Sequence, residues 1–507
     1  MKPTGSPVRN RVWAVLAGSA TLALPASLMS AQPEAPGPAE PQGRTLEREL
    51  ALKITAPFTL AAVGDIIEPQ PLVSQAAGFQ QLVGLIRNAD VGFGNMESSL
   101  VDTWRFTGPV GGTESPLETG QAIKDMGIRI VNYANNHTLN GGVEGMHSTE
   151  KELDRLGIVH AGTGRDLAEA RAPRYLATPK GRVGVVGMFS IDDVGAYGPN
   201  YSQGAASYRV AGVGGNPGLN ALHLTDYHIV TPEQLQALRT VNEAVFGKRE
   251  QAAAGDGGEG GGGGGGRGGG AGGRAGDLKF YDDWFRAGPN PGSISYTMNP
   301  RDEEDILKSV RTGKLNAEFM IATIHAHQSS GSASAFVGGV DHSAPDFLIK
   351  LAHDCIDNGA DLFVAHGVHA LHGIEIYKGK PVLYGISNFV FQFGLQYGMM
   401  PDPNETGPHS FENPANMETV LVTSHYDGGN LAEVRIYPVD LGGIRRPISL
   451  MGIPMTPTPE IARRILEEMQ TLSKPFGTHI VIENNVGVIR VAGNAAPAAT
   501  VAAPTKR

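Results

Sequence analysis

Cysteine is almost missing from this chain: Cys355 is alone among 507 residues, which excludes an intramolecular disulfide. Stability must therefore come from a core or from bound metal. Cys355 lies in a helical pattern with no activating neighbour, so it reads as a buried structural thiol and not a nucleophile. A basic excess is missing too. Lys and Arg number 41 against 51 Asp and Glu, a formal charge of −10, and a chain without a basic face is not built to meet phosphate backbones. No nucleic-acid partner is expected. Beyond the N-terminus, no stretch approaches the ~20 apolar residues that a membrane span requires.

Glycine and proline, by contrast, are plentiful at 69 and 34 residues, more than compact elements use, so part of the chain must be linker or low-complexity sequence. Arg9 and Arg11 lead into an apolar run from Val12 to Leu28, followed by small residues at Ser30 and Ala31. That order is the pattern of an export signal, so residues 1–31 are read as a signal peptide or an uncleaved N-terminal anchor, with export to the periplasm or cell surface. Residues 32–55 read as a Pro-rich linker and 56–492 as one folded domain. That domain is interrupted at about 252–276, where glycine runs carry too little apolar area to order themselves, and 493–507 form a flexible tail.

Within the domain, strand and helix patterns alternate. Phe58 to Val63, Val91 to Met96 and Ile128 to Ala134 read as apolar strands, separated by helical patterns over Phe79 to Ile86 and Ser115 to Met126. Val143 to Leu156 continues as an amphipathic helix. Arg182 to Phe189, Phe319 to His325 and Asp361 to His366 repeat the strand type, with helices at Asp302 to Arg311 and Pro345 to Asn358. This alternation argues for an α/β fold of largely parallel, buried strands covered by helices. Ile374 to Tyr384, broken at Lys378-Gly379, reads as a hairpin that makes the sheets mixed. The acidic run Asp302 to Asp305 reads as a helix N-terminus favoured by the macrodipole.

The polar residues fall where the strands end. Asp65, Glu97, Asn136, His137, His325, His366 and His369 all sit at or just past the carboxyl ends of apolar strands, the edge where open α/β sheets bind ligands. Two carboxylates, an amide oxygen and several imidazoles form the mixed oxygen and nitrogen donor set of a two-metal hydrolytic site. Singly, each has a plainer reading: Asp65 as a cap or turn residue, Asn135-Asn136-His137 as turn chemistry. Only the set points to metal.

Six segments in order carry a family resemblance: Gly64-Asp65, Asn95-Met96-Glu97, Asn135-Asn136-His137, His160 to Arg171, His325-Ala326-His327, and Ala365 to Gln392. Across about residues 58–480 the chain resembles CapA-like capsule-synthesis proteins, a family similar to calcineurin-like metallophosphatases. The resemblance implies a calcineurin-like sandwich, with mixed β-sheets flanked by helices. It implies two divalent metal ions (Mn, Fe, Zn or Mg), with Asp65 and His369 on the first, Glu97 bridging, and Asn136, His325 and His366 on the second. His137 would be the catalytic general acid, a role suited to a group titrating near neutrality. Asn135, His327 and Asn388 are candidate substrate contacts. Their plainer readings are turn chemistry, a solvated loop histidine, and a tie on the histidine loop.

The chain also departs from the pattern of classical phosphoesterases. Ile67 stands where their histidine follows the first aspartate, Glu97 replaces an aspartate, and Thr138 replaces an acidic residue. Ala326 stands where the family commonly has Trp. The first metal therefore keeps three protein ligands.

Three functional classes fit these features. One is a metal-dependent hydrolase acting on a phosphoester or an anionic cell-surface polymer. Another is a non-catalytic accessory part of a membrane polymer-synthesis complex of the poly-γ-glutamate type. The third is a proton-transfer enzyme using the same pocket.

Overall fold

The computed structural model describes residues 50–109, 113–192, 204–208, 214–247, 273–281, 283–331, 336–337, 340–392 and 413–491. The N-terminal leader at 1–31, most of the linker at 32–55, residues 252–272 of the glycine-rich insertion and the tail at 493–507 lie outside the described residues.

The first half of the domain alternates strands with helices. β1 (Phe58–Ile67) is followed by α1 (Ala77–Asn88), β2 (Val91–Met96), α2 (Leu117–Asp125), β3 (Ile128–Asn132) and α3 (Gly142–Leu156). In α1 the buried residues Phe79, Leu82, Val83 and Ile86 recur at the helical period, so one face is apolar and must be covered. α3 ends at Gly157, whose φ of 70° closes the helix in the left-handed region. The second half repeats the pattern with β4 (Gly181–Asp192), α4 (Pro300–Lys314), β5 (Phe319–His325), α5 (Asp346–Asp357) and β6 (Leu362–His366), before β7 (Asn388–Phe391) and α6 (Pro459–Ser473). Asn299 caps α4 by accepting from the Arg301 and Asp302 amides, with Pro300 in the first turn.

The strands sort into two large mixed sheets. In the nine-stranded sheet, β1, β2 and β3 run parallel, while Glu418–Asp427 pairs antiparallel with β1 and leads out to Asn430–Asp440. In the ten-stranded sheet, β4, β5 and β6 run parallel, and Ala221–Val230 continues that direction beyond β4. The hairpin expected near Lys378-Gly379 is present: Ile374–Tyr377 pairs with Lys380–Leu383, and φ is 50° at Lys378 and 76° at Gly379. Two positive φ values mark the primed turn whose twist suits a two-residue hairpin.

Alternating side chains show how the layers stack. In β1, Leu60 and Ala62 enter a cluster shared with Val183, Ile321 and Val364 of the other sheet. Ala61 and Val63 point the other way, to Phe79 of α1, Ile123 of α2 and Leu153 of α3. In β5, Ile321 joins the central cluster, whereas Met320, Ala322 and Ile324 pack on Ile306 of α4 and Leu351 of α5. The fold is thus α/β, with two mixed sheets face to face and helices on both outer faces. Ile465, Leu466 and Met469 of α6 add to the central cluster.

Two local readings change. β1 runs past Asp65 to Ile67 instead of stopping near Val63, because β7 pairs alongside it from Asp65 onward. The acidic start of α4 also does more than meet a helix dipole: Asp302 and Asp305 hold the buried Arg171 guanidinium, and Asp302 also meets His223. Cys355 is fully buried in α5, and burial pushes its thiol pKa far up, as suits an inert core residue. Among the described residues no helix is long and apolar enough to cross a membrane.

Candidate metal centre

Parallel strands in both sheets bring their carboxyl ends to one edge. In the second sheet His325 and His366 are direct register partners at the ends of β5 and β6. In the first, Asp65 pairs with Asn95 on one side and Asn388 on the other. The two edges meet: His325, His366 and His369 put their Nδ1 atoms 3.8, 3.7 and 3.4 Å from Asp65 carboxylate oxygens. Glu97, just past β2, lies 3.6 Å from His325 Nε2 and 3.7 Å from His137 Nε2. Both carboxylates are 0% exposed.

Close backbone approach makes this convergence possible at two glycines. A Cβ on Gly64 would sit 1.9 Å from the Ser387 carbonyl oxygen, against which the Asp65 amide bonds at 3.1 Å. Gly367 has φ of 101°, and a Cβ there would press on His325. Its amide donates to Asp65 Oδ2 at 3.2 Å. His369 itself adopts a positive φ of 51°, a conformation that persists in a non-glycine residue only when its surroundings hold it.

Those surroundings also set which ring nitrogens carry protons. Asn388 Nδ2 donates to the Asn416 carbonyl at 3.1 Å, so its Oδ1 must face His369 Nδ1, 2.7 Å away. His369 therefore donates from Nδ1 and keeps Nε2 as a lone-pair donor. Asn95 plays the same part for the carboxylate. Its Oδ1 accepts from Asn132 at 3.0 Å, which turns its amide nitrogen toward Asp65 Oδ1 at 2.9 Å and His325 Nδ1 at 3.1 Å. Asn140 Nδ2 donates to His137 Nδ1 at 2.9 Å, which leaves the His137 Nε2–H on the Glu97 side.

Five of the buried side-chain polar atoms that lack a hydrogen-bond partner among the described residues lie here, namely both oxygens of Glu97, Oδ1 of Asn136 and both ring nitrogens of His366, while others such as Glu68 Oε2, Tyr133 OH and Thr323 Oγ1 lie elsewhere in the core. Buried polar atoms are ordinarily paired, and all five belong to residues expected to bind metal. Two sets of side chains place ligand atoms within 4.8 Å of one another, Asp65 with Glu97 and His369, and Glu97 with His325 and His327. Glu97 is common to both, and the oxygen and imidazole donors suit a divalent cation. Burial, and then the Asp65 charge, push Glu97 well above the usual carboxylate range; a cation between the two carboxylates is the counter-charge that such a pair fits.

Several residues sit differently from their sequence reading. His137 is nearly buried, and burial with the nearby His369 lowers its pKa to about 4, so titration near neutrality is not what this environment gives. Asn135 is buried and its amide ties the loop to β2, Nδ2 donating to the Met96 carbonyl at 2.7 Å while Oδ1 accepts from the His137 amide at 3.1 Å. Asn388 is likewise 0% exposed and orients His369, so the tie on the histidine loop is the reading that the geometry matches. His327 lies inside the cluster, its Nε2 2.9 Å from His325 Nε2. His372 turns away and donates from Nε2 to the Asp341 carbonyl at 3.1 Å. The orienting residues Asn95, Asn132 and Asn140 had no role in the sequence reading. The signal for the first two was an amide inside an otherwise apolar buried strand.

With this geometry in hand, comparison with known proteins adds the following. Residues 59–393 match the family described as bacterial capsule synthesis protein PGA_cap. Two uncharacterized proteins of Sinorhizobium fredii, y4sH and y4uA, are each 34% identical over 476 residues, covering 87% of this chain and 95% of theirs. The PGA biosynthesis protein CapA of Bacillus subtilis is 22% identical over 321 residues, 62% of this chain and 57% of that protein. A crystal structure of a hypothetical protein from Thermus thermophilus covers 76% of this chain and 99% of its own at 10% identity, but its TM-score of 0.31 carries no argument about fold. On the extent of the family match and the near full-length relatives, the chain belongs to the PGA_cap family of bacterial capsule synthesis proteins.

Proposed function

We propose that this is an exported protein of capsule or cell-envelope polymer metabolism, of the poly-γ-glutamate type, whose strand-end cluster is a metallophosphatase-type centre capable of metal-dependent hydrolysis. The observation that carries the reading is the concentration of unpartnered buried donor atoms on Glu97, Asn136 and His366 beside a carboxylate pair. In this reading Asp65 and His369 hold one divalent ion, Glu97 bridges, and Asn136, His325 and His366 hold the other, within a calcineurin-like sandwich. A donor set so rich in imidazole suits Mn, Fe or Zn better than Mg. Divalent cations held by these residues would supply Lewis acidity toward an ester oxygen and toward water near neutral pH.

The chain's own residues do the positioning. Asn95 and the Gly367 amide fix both oxygens of Asp65. Asn388 fixes the His369 ring. His137, held by Asn140, is a neutral imidazole at working pH that presents its Nε2–H to a leaving oxygen as a hydrogen-bond donor. The substrate is a phosphoester or an anionic cell-surface polymer, and the site operates outside the cytoplasm, alone or beside a membrane polymer-synthesis complex. The relative named for PGA biosynthesis supports this assignment of substrate class.

Elemental mass spectrometry of the purified protein, with Asp65→Ala and His366→Ala alongside, tests the reading. About two ions per chain, reduced in both variants, are expected. No bound metal after reconstitution would sink it, and would favour an accessory role or metal-free proton transfer.

A further inference from the structure

We propose that His327 is a ligand of the second metal, so that the His-Ala-His segment that ends and follows β5 forms, together with Glu97, the outward-facing half of the centre. The proposal rests on the two-metal reading above and adds to it a ligand outside the set carried over from the family resemblance.

Strand geometry supplies the first argument. The Ala326 amide donates to the His366 carbonyl at 2.8 Å, which carries the extended pairing of β5 with β6 one residue past His325. Ala326 is buried in the helix-side cluster with Ala322 and Ile324. Residues on either side of it therefore project from the opposite face, so His325 and His327 enter the site together.

Contact geometry supplies the second. The two Nε2 atoms are 2.9 Å apart, and the His327 ring centroid lies 5.5 Å from that of His369. Ligand atoms of Glu97, His325 and His327 all fall within 4.8 Å of one another. Two ligands at tetrahedral angles on one ion, each about 2.1 Å away, stand about 3.4 Å apart, so side-chain rotation alone can close the set. Without an ion the contact is a hydrogen bond to His327 Nε2 from the Nε2–H of His325, whose Nδ1 accepts from Asn95; a bound ion would take that proton's place.

Burial sets His327 apart from the other proposed ligands. Asp65, Glu97, His325, His366 and His369 are all buried, whereas His327 is half-buried. His327 is thus the side from which solvent would reach the second ion.

The test is metal stoichiometry and affinity, by equilibrium dialysis against zinc or manganese followed by elemental analysis, on wild type, His327→Ala and Asp65→Ala. His327→Ala should retain about one ion of about two and bind the second with a loss exceeding the about 10–100-fold expected when only an outer hydrogen-bond partner is removed. Added free imidazole should restore the second ion, a rescue that a merely structural role would not show. Two ions held by His327→Ala with unchanged affinity would overturn the assignment while leaving the two-metal centre standing. No metal in wild type would overturn the centre itself, and His327 with it.

Discussion

Asn388→Ala removes a fully buried side chain that decides which nitrogen of His369 is available. The amide is fully buried and makes two bonds, Nδ2 to the Asn416 carbonyl at 3.1 Å and Oδ1 from His369 Nδ1 at 2.7 Å. Truncation strands a carbonyl and an imidazole N–H. At roughly 1–2 kcal/mol for each group left buried without its partner, the fold loses about 2–4 kcal/mol. The ring then loses its fixed tautomer and its support at positive φ, and outer partners of this kind are worth about 10–100-fold in metal affinity. Asn388→Asp separates the two effects: it keeps an acceptor for His369 but loses the donor to Asn416, so it should be destabilised while binding metal nearly as well as wild type. Competition against a chromophoric chelator reads the affinity, and thermal unfolding in excess chelator reads the fold. If Asn388→Ala binds metal with wild-type affinity although its fold is weakened, the tautomer argument fails and His369 is not a ligand through Nε2.

Glu68 is fully buried, its Oε1 accepting from the Leu72 amide at 2.6 Å, and burial raises its pKa to about 8. The unfolded chain releases this proton above its ordinary value and the folded chain does not, so stability falls as pH rises from about 4.5 to about 8, by as much as ~5 kcal/mol. Glu68→Gln should abolish that slope in urea unfolding followed across pH. His372 has the opposite sign: burial lowers it to about 4, so stability is complete above its unfolded value near 6.5 and falls by about 3 kcal/mol as pH drops toward 4. His372→Gln, which can still donate to the Asp341 carbonyl, should flatten the acid side of the same profile. Gly64→Ala should lower the unfolding midpoint sharply or prevent folding, because the added carbon would sit 1.9 Å from the Ser387 oxygen and overpacking between backbones costs more than ~3 kcal/mol. A wild-type melting curve for that variant would refute the close approach.

The central strands are legible in the sequence because they are buried on both faces, and such strands appear as continuous apolar runs. β5 is a case in point: Phe319 to His325 is apolar apart from Thr323 and its terminal histidine, and every residue is buried. Pairing order is not legible. β1 is flanked on one side by β2, its neighbour in sequence, and on the other by Glu418–Asp427, and β7 joins it late along the edge. Periodicity holds no information about partners more than 300 residues apart, and the length of β1 past Asp65 depends on one of them. The strand hairpin from Glu418 to Asp440 is absent from the sequence reading as well, although Gly428 and Gly429 at its turn both take positive φ.

For the site, the sequence shows which polar residues end apolar strands, and the fold determines which of them face one another. His369 and His372 are three residues apart in one loop, yet one is held against Asp65 by Asn388 and the other is drawn off by the Asp341 carbonyl. His325 reads as a strand end and His327 as a loop residue, but continued strand pairing through Ala326 points both rings the same way. His137 departs from its expected titration for a related reason, since burial and then the neighbouring His369 lower its pKa to about 4. These differences share one cause. Two carboxylates and a group of imidazoles are buried together, with asparagines fixing their orientation and several donor atoms left unpaired, an arrangement that costs stability wherever no counter-charge is bound. Local rules of burial fail at this edge, the kind of departure expected where a fold holds donors for a ligand, as the metal-centre proposal has it.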